Sequence, residues 1–145
     1  MDSSSGSMVL LTRLNRLVYR HATEEALGMR LKQYAGLSTL REQGAMPQQA
    51  LGEQMHVDPN NLVLLLNDAE ANGWVERRRD PSDRRRHIVV LTDSGVKALA
   101  HAEEAIEDVE DQVLGPLSAE ERATLRKLLQ KAAGGDGRAS ESAAA

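Results

Sequence analysis

The chain of 145 residues contains no cysteine and no phenylalanine, and aromatic residues of any kind make up only 2% of it. Without cysteine, a disulfide scaffold, thiolate ligation of a metal and a cysteine-based redox switch are all excluded. Because large aromatic side chains are so scarce, leucine, valine and alanine must fill the core. That composition favours a domain of packed helices over a sandwich of two sheets.

Long apolar runs are absent as well. No stretch approaches the roughly 20 consecutive apolar residues that span a bilayer, and no secretory signal is recognisable. Apolar residues make up 41% of the chain and charged residues 28%, as is typical of soluble globular proteins. The length fits one domain that buries its own core. We therefore expect a cytoplasmic protein that has no membrane partner.

The patterns of catalytic and metal sites are also missing from the sequence. None of the four histidines has an i, i+4 partner or a neighbouring carboxylate pattern that resembles a metal site. There is no Ser-His-Asp arrangement and no glycine-rich phosphate loop. We predict that the chain is not an enzyme and that it uses neither a metal nor a cofactor.

What the chain does have is a very uneven distribution of charge. Its formal net charge is −4, yet residues 77–86 hold six Arg against two Asp, a local charge of +4. Residues 93–121 hold nine acidic residues and one Lys, a local charge of −8. Since the total charge is negative, the local distribution has to decide whether nucleic acid is a partner. The arginine-rich segment is the candidate contact.

This arginine-rich segment has the pattern of a β-hairpin. Two short runs rich in aromatic and β-branched residues, Trp74–Arg77 and Arg86–Leu91, are predicted to be strands. The segment Asp80–Asp83 between them is a turn former, because its proline fixes φ and its Asp and Ser side chains can bond their own backbone. Arginine suits phosphate contacts and the narrow minor groove of DNA. The alternative is a solvated surface hairpin.

Helical patterns flank the predicted hairpin on both sides. Asp58 is an N-cap with a proline after it, Thr92 caps a long helix, and Ser118 with Glu121 forms a capping box. The predicted helices span about 8–28, 31–42, 47–55, 58–72, 93–114 and 118–133. Two helices with a short connection, followed by a hairpin, are the order of a winged helix-turn-helix.

The terminal regions are predicted from the same patterns. The long helix carries an apolar seam through Leu99, Ile106 and Val113. The last helix is expected to bury Leu125, Leu128 and Leu129. Residues 1–7 are small and polar and are expected to be disordered, and residues 134–145 are expected to form a flexible tail.

The stretch from Ala71 to Gly95 resembles the MarR family of bacterial transcription regulators. The wing of that family carries Asp-x-Arg, which is matched here by Asp83 and Arg85, and the Leu-Thr pair after the second strand also fits. The resemblance covers residues 8–133. It implies a mainly α fold with a small β-hairpin wing, in which residues 31–91 form the winged helix-turn-helix lobe and residues 8–28 and 93–133 form dimerisation helices.

The resemblance also implies how the protein works. A homodimer would bind double-stranded DNA at a pseudo-palindromic operator, with half-sites about one helical turn apart. Asp83 would orient Arg85 at the wing, and the two asparagines at the start of the recognition helix would read bases. The predicted DNA-binding residues are Asn60, Asn61, Leu64, Asp83, Arg84, Arg85 and Arg86.

The recognition helix departs from the pattern of the family. An arginine is usual within it, but this helix has neither Lys nor Arg, and Asp68 stands where another basic residue is common. Leu64, if exposed, could only touch a thymine methyl group or lie along the sugars. The alternative function is therefore a winged-helix module that binds another protein and has weak or no specific affinity for DNA.

Many proteins of this family release DNA when a small aromatic or carboxylate effector binds between the dimerisation region and the DNA-binding lobe. Cationic, phenolic and imidazole side chains are expected near such a cleft here, and guanidinium groups clamp carboxylates well. The candidate ligand residues are Arg16, Tyr19, Arg20, His21 and Tyr34. Salt bridges between the subunits are an equally good explanation for the cations in this group.

Overall fold

The structure is a computed structural model that describes residues 6–144, with side chains described as far as residue 134. Within this range the chain forms seven helices and three strands. They are α1 (Ser7–His21), α2 (Glu24–Leu27), α3 (Leu31–Gln43), β1 (Met46–Pro47), α4 (Gln48–Met55), α5 (Pro59–Ala71), β2 (Val75–Asp80), β3 (Asp83–Leu91), α6 (Asp93–Val113) and α7 (Ala119–Ala144). The predicted class, mainly α with a small β wing, is confirmed.

The sheet has three antiparallel strands in the order β1-β3-β2, so β3 lies in the centre. The sequence predicted only the two strands of the hairpin. The third strand, β1, pairs Met46 with Val89 and Pro47 with Ile88. Two residues are too few to show the alternation by which a strand is recognised, and proline is tolerated at a sheet edge. The predicted helix from Pro47 accordingly begins one residue later, with Pro47 as its N-cap.

The hairpin is longer than its apolar pattern indicated. Strands β2 and β3 pair regularly from Val75 opposite Leu91 to Arg79 opposite His87, and after a register shift Asp80 pairs with Asp83. The arginines therefore lie in the strands, and the turn is only Pro81 and Ser82. The prediction ended the strands early because exposed arginines do not alternate with apolar residues. A solvated wing needs no such alternation, since strand pairing is made by the backbone.

The helix-turn-helix follows the predicted caps. Asp58 Oδ1 accepts a hydrogen bond from the Asn61 backbone N–H at 3.0 Å, which begins α5. The turn before it passes through His56, a non-glycine residue in the left-handed region with φ 55°. A Cβ added to Gly52 would lie 2.9 Å from Leu62 Cδ2. Glycine at this position therefore lets α4 and α5 approach closely.

The core lies where α3, α4 and α5 meet the sheet and α6. Helix α6 also contacts α1 and α2. Its predicted seam is buried at Leu99 and half-buried at Ile106 and Val113. A Cβ on Gly95 would lie 2.2 Å from the Trp74 carbonyl oxygen, so only glycine allows α6 to pass this close to the start of the wing.

The first predicted helix is two helices in the structure. Helix α1 ends at His21, and Thr23 starts α2 by accepting a hydrogen bond from the Ala26 N–H at 3.1 Å. Gly28 then ends α2 in the left-handed conformation, φ 77°. The apolar spacing continues across the break, so periodicity alone could not reveal it. The cap at Thr23 was the signal that the prediction overlooked.

The prediction that the last helix buries three leucines was wrong within a single chain. Leu125 is half-buried, but Leu128 and Leu129 are 59% and 45% exposed. Helix α1 likewise has no buried residue, and it exposes Met8 and Leu11. Apolar side chains spaced three or four apart make a stripe on one helix face, but the stripe does not say whether its partner lies in the same chain.

The ends of the described region also differ from the prediction. The predicted disordered segment 1–7 lies outside the described residues except for Gly6 and Ser7, and Ser7 already belongs to α1. The last helix was expected to end near Ala133, but helical backbone continues to Ala144. A glycine ends a helix when the chain leaves the right-handed conformation after it, and Gly134 does not end this one. The prediction therefore placed the helix end too early.

Candidate nucleic-acid interface

The tip of the wing is organised by its two aspartates. Asp80 Oδ1 accepts hydrogen bonds from the Ser82 N–H at 2.9 Å and from the Ser82 hydroxyl at 2.7 Å. These bonds hold the pKa of the Asp80 carboxyl below its ordinary value. Asp83 Oδ1 accepts from the Arg85 backbone N–H at 3.1 Å and from its Nε–H at 3.3 Å. The predicted Asp-x-Arg pair is therefore formed, with the Arg85 side chain 92% exposed.

The wing contains six arginines, and their side chains have different partners. Arg79 donates to the Arg84 carbonyl oxygen at 2.9 Å and so links the two strands. Arg78 forms an ion pair with Glu76 at 2.9 Å. Arg84, Arg85 and Arg86 point their charges into solvent along the start of β3. The three arginines predicted to grip DNA are thus exposed, as are Arg78 and Arg79, whereas Arg77 is half-buried.

Arg77 at the base of the wing serves the recognition helix. Its guanidinium donates to Asn67 Oδ1 at 2.7 Å and to Glu70 Oε1 at 2.9 Å, and its backbone N–H donates to Glu70 Oε2 at 3.2 Å. The Arg77 side-chain bond is the main cause of a lowered pKa of Glu70, and the backbone bond adds to it. Sequence reasoning missed this clamp, which fixes the angle between the wing and α5.

The recognition helix α5 divides its side chains between core and solvent. Leu62, Leu65 and Leu66 are buried, whereas Leu64 is 63% exposed and Val63 is 39% exposed. The leucine run is therefore core on one side only. Positions spaced by three and four residues share a helix face, and the outward face is formed by exposed side chains of this spacing. It contains Asn60, Val63, Leu64 and Asn67.

The two predicted base-reading asparagines have different surroundings. Asn61 Nδ2 donates to Asp58 Oδ2 at 2.6 Å, so this amide is part of the N-cap of α5. The bonds from Asn61, above all the backbone one, lower the pKa of Asp58. Asn60 is exposed on the outward face. The geometry thus favours Asn60 over Asn61 as a side chain that can turn its amide toward a base.

Asp68, the acidic residue that looked unfavourable for DNA binding, is paired. Its Oδ2 lies 2.5 Å from an Arg30 guanidinium nitrogen, which comes from the residue that precedes α3. Both side chains are more than half exposed. The pair offsets the negative charge locally and ties the flank of α5 to α3.

A groove of about 840 Å³ joins the recognition helix to the wing. One wall consists of α4 and the start of α5, including Gln48, Pro59 and Val63, and the other wall consists of Arg85, Arg86 and the neighbouring histidine of β3. Two of the predicted wing contacts, Arg85 and Arg86, therefore face the same space as the start of the recognition helix. This is the arrangement required if both are to touch one nucleic acid. The predicted contacts of α5 are not among the described residues of this groove, and Asn61 and Leu64 line a second cleft instead.

A second cleft, of about 1030 Å³, lies between α1, α3 and α5. Tyr19 is the one predicted ligand residue that lines it; Arg16, Arg20, His21 and Tyr34 are not among the described residues of its walls. The cations in the walls are Arg30 and Lys32, which the sequence did not single out. Their position depends on how α1 crosses α3, and no local pattern reports that crossing.

Tyr34 lies on the other side of α3. Burial of its side chain raises its pKa, and the nearby Glu103 carboxylate on α6 adds to the increase. Arg41 and Glu103 form an ion pair between α3 and α6 close by. Tyr34 therefore packs between these two helices, in the position of a structural residue.

Neither a metal site nor a membrane span is found in the part of the chain that the structure describes. No group of three or more His, Cys, Asp or Glu side chains there is placed to hold a metal ion. No helix in the same residues is long and apolar enough to cross a bilayer.

Comparison with known sequences places this geometry in a family. The family model described as MarR family matches residues 29–87. The chain is 35% identical over 99 residues to the transcriptional regulator HosA of Escherichia coli O111:H-, covering 68% of this chain and 73% of HosA. It is also 35% identical over 98 residues to a Thauera aromatica protein named as a transcriptional regulatory protein for the hcr operon, covering 68% of this chain and 59% of that protein.

Solved structures agree with the sequence matches. A crystal structure of MarR superposes with a TM-score of 0.80 and 25% identity over 98% of both chains. A mutant MarR from E. coli complexed with operator DNA gives a TM-score of 0.69 at 26% identity, covering 86% of this chain and 89% of that one. The PcaV regulator from Streptomyces coelicolor in complex with its natural ligand gives 0.74 at 26% identity, covering 92% and 95%.

These relatives are regulators of transcription and not enzymes, and one of the similar structures holds operator DNA on a fold of this kind. The chain therefore belongs to the MarR family of transcriptional regulators.

Proposed function

We propose that the chain acts in the cytoplasm as a homodimeric repressor that binds a pseudo-palindromic operator and responds to a small molecule. The observation that carries the proposal is the shared groove in which Arg85, oriented by Asp83, faces the start of α5. A cationic wing beside a helix that fits a major groove can hold the backbone and the bases of one half-site together.

The DNA contacts divide between the two elements. Arg84, Arg85 and Arg86 supply the positive charge, because α5 itself contains neither Lys nor Arg. The wing then contributes most of the electrostatic affinity, through phosphates and the narrow minor groove. Asn60 and Leu64 on the outward face of α5 contact base edges. Asn61 supports them by capping the helix at Asp58.

The homodimer is supported by apolar faces at both ends of the chain. Met8, Leu10 and Leu11 on α1 are exposed, as are Leu128 and Leu129 on α7. Exposed stripes of this kind lose solvent contact when a second copy packs against them, and each buried Å² contributes about 25 cal/mol. A two-fold dimer presents two recognition helices, which matches a pseudo-palindromic site.

The response to a small molecule is supported by the cleft between α1, α3 and α5. Its walls carry Tyr19 and the cations Arg30 and Lys32, which suit an aromatic carboxylate. Arg30 is also bound to Asp68 on the recognition helix. An anion that draws Arg30 away from Asp68 favours another position of α5, and so it shifts the population away from the DNA-binding form. The similar PcaV structure contains a natural ligand.

The proposal is tested by selecting binding sites from a random DNA library with the purified full-length protein. The enriched site is then titrated at about 50 mM and 200 mM salt, because displaced counterions make log affinity fall linearly with log salt. We expect an inverted repeat bound by two chains. Placed over a promoter, the site should lower reporter expression; increased expression would overturn the repressor part alone.

The matched variants are Arg85→Ala in the wing and Arg126→Ala on α7. Loss of a phosphate contact should weaken binding to all sequences and lower the salt slope by about 1, whereas the α7 variant should leave both unchanged. Equal behaviour of the two variants would contradict the role of the wing. The effector is sought among a panel of aromatic acids. At least one of them should raise the melting temperature of the protein and release it from DNA. If no member of the panel has either effect, the ligand response is refuted.

One observation favours a second function, a module that binds another protein. Leu64 and Val63 are exposed on a helix that has no cation of its own, and exposed apolar groups often mark protein contacts. If the library selection enriches no sequence, and if any binding to DNA does not depend on salt, this function would be favoured over the regulator described above.

A further inference from the structure

The outward face of α5 is chemically unusual for a helix that reads DNA. The exposed side chains on this face, spaced three and four residues apart, are Asn60, Val63, Leu64 and Asn67. Two of these four side chains are aliphatic. The helix has no Lys or Arg at any position. Two arginines from outside the helix contact it, but Arg30 is bound to Asp68 at 2.5 Å and Arg77 is bound to Asn67 and Glu70.

These side chains cannot read guanine in the usual way. Guanine presents two acceptors, O6 and N7, in the major groove, and the common specific contact to them is a bidentate Arg or Lys. The base pair that offers an apolar feature is A·T, through the C5 methyl group of thymine. The same pair presents the N6 donor and the N7 acceptor of adenine, which match the two ends of an asparagine amide.

The neighbouring amides are already held in place. Asn67 Oδ1 accepts from Arg77 at 2.7 Å, and Asn61 Nδ2 donates to Asp58 Oδ2 at 2.6 Å. Each amide has thereby committed one end to the protein and cannot make a bidentate contact with adenine without giving up that bond. Asn60, one turn before Leu64 on the same face, is the remaining asparagine of the helix that can take this role.

We propose that α5 recognises its half-site by the methyl groups of thymine, with Leu64 as the main contact, Val63 as its neighbour toward the wing and Asn60 on an adjacent adenine. The inference rests on the proposed function, since it needs a specific DNA site. The half-site that faces α5 is then centred on A·T pairs, and guanine is discriminated weakly. The wing supplies affinity, and a few methyl contacts supply the sequence preference.

The test uses the site enriched from the random library and replaces its thymines one at a time by deoxyuridine, which removes only the methyl group. We expect one or two positions per half-site at which affinity falls about fourfold, the factor that burial of one methyl group gives. A cytosine at such a position should bind better when it is 5-methylated. This arm separates the methyl group from the identity of the base pair.

Protein variants test which residue contacts the thymine methyl group. Leu64→Ala should weaken binding to the thymine site and bind the thymine and deoxyuridine sites equally at the position that Leu64 contacts. Val96→Ala is the matched control, because Val96 is also an exposed aliphatic residue but lies on α6 and not on the recognition helix. It should keep the full fourfold preference for thymine.

The outcomes separate the inference from the function on which it rests. Specific, salt-sensitive binding with no loss at any deoxyuridine, or a half-site without A·T pairs, would overturn methyl recognition and leave the regulator intact. A deoxyuridine effect that persists in Leu64→Ala would overturn the assignment to Leu64. Failure to enrich any site would overturn the proposed function itself, and the inference with it.

Discussion

Asp83 and Arg85 are joined twice, because one carboxylate oxygen of Asp83 accepts from both the backbone N–H and the side-chain Nε–H of Arg85, at 3.1 and 3.3 Å. The first bond shapes the backbone after the turn, and the second selects the direction of an otherwise free side chain. A guanidinium held in this way loses less conformational entropy when it meets a phosphate or enters a groove.

Replacement of this aspartate gives a prediction with a clear sign. Asp83→Ala removes a negative charge next to DNA, which by Coulomb attraction alone would strengthen binding. We expect binding to weaken about fivefold instead, since loss of one orienting hydrogen bond is worth about 1 kcal/mol. Fluorescence anisotropy with the selected operator measures the change. Asp83→Asn keeps an acceptor and should recover part of the affinity, whereas tighter binding by Asp83→Ala would contradict the orienting role.

The clamp between the wing and the recognition helix predicts a pH effect. The pKa of Glu70 is lowered from 4.5 by its bonds with Arg77. A carboxyl with a lowered folded pKa stabilises the protein above its unfolded pKa, and the stabilisation is lost as pH falls through the folded value. Glu70→Gln should therefore lower the melting temperature at neutral pH. The difference from wild type should shrink as pH falls below about 4.5.

Thermal unfolding followed by circular dichroism from pH 3 to pH 7 would measure this difference. The matched control is Glu104→Gln, an exposed glutamate on α6 that takes no part in the clamp. A constant difference between wild type and Glu70→Gln across the range would show that the carboxylate charge does not stabilise the clamp.

The contact between α6 and the wing predicts the cost of a single methyl group. In Gly95→Ala the new Cβ would fall 2.2 Å from the Trp74 carbonyl oxygen, a backbone atom that cannot turn aside. We expect a loss of about 3 kcal/mol in the free energy of unfolding, at the upper end for overpacked sites. Urea unfolding measures it. Gly6→Ala is the control, because the added Cβ has open space around it and the stability should change little. Equal stabilities of Gly95→Ala and Gly6→Ala would refute the close packing of α6 against Trp74.

The exposed apolar faces predict the state of association. Leu11→Glu combined with Leu128→Glu puts charges on both terminal helices, and we expect the dimer to dissociate because the buried charges would lack partners. Analytical ultracentrifugation measures the mass in solution. Val96→Glu is the control: it places a charge at a position that is similarly exposed but lies on α6, outside the apolar faces of α1 and α7, and this variant should remain dimeric. A wild-type protein that is monomeric at all concentrations would refute the dimer directly.

Several features of this molecule follow from local sequence. The N-caps at Asp58 and Thr92 and the reciprocal capping box of Ser118 with Glu121 form as predicted, at 2.9 to 3.1 Å. Each involves groups three residues apart, so the sequence contains both partners in one window. The Asp83–Arg85 pair is equally local, and it is the element on which the resemblance to the MarR family depended.

Other features were decided by tertiary structure. Leu64 and Leu65 are neighbours with the same chemistry, yet one is exposed and the other is buried, because the direction of α5 relative to α3 and α4 chooses the face. Arg77 looked like one more cation of the wing, but its partners Asn67 and Glu70 lie on another element and remove it from the DNA-facing set.

The sequence by itself therefore determined where most helices begin, where the wing lies and which residues orient its tip, since these depend on bonds between groups a few residues apart. Only the tertiary structure decided the third strand, the exposed face of α5 and the cations of the cleft, Arg30 and Lys32. The physical reason is that packing of distant segments sets the position of each helix axis, and a helix pattern fixes its faces only relative to that axis.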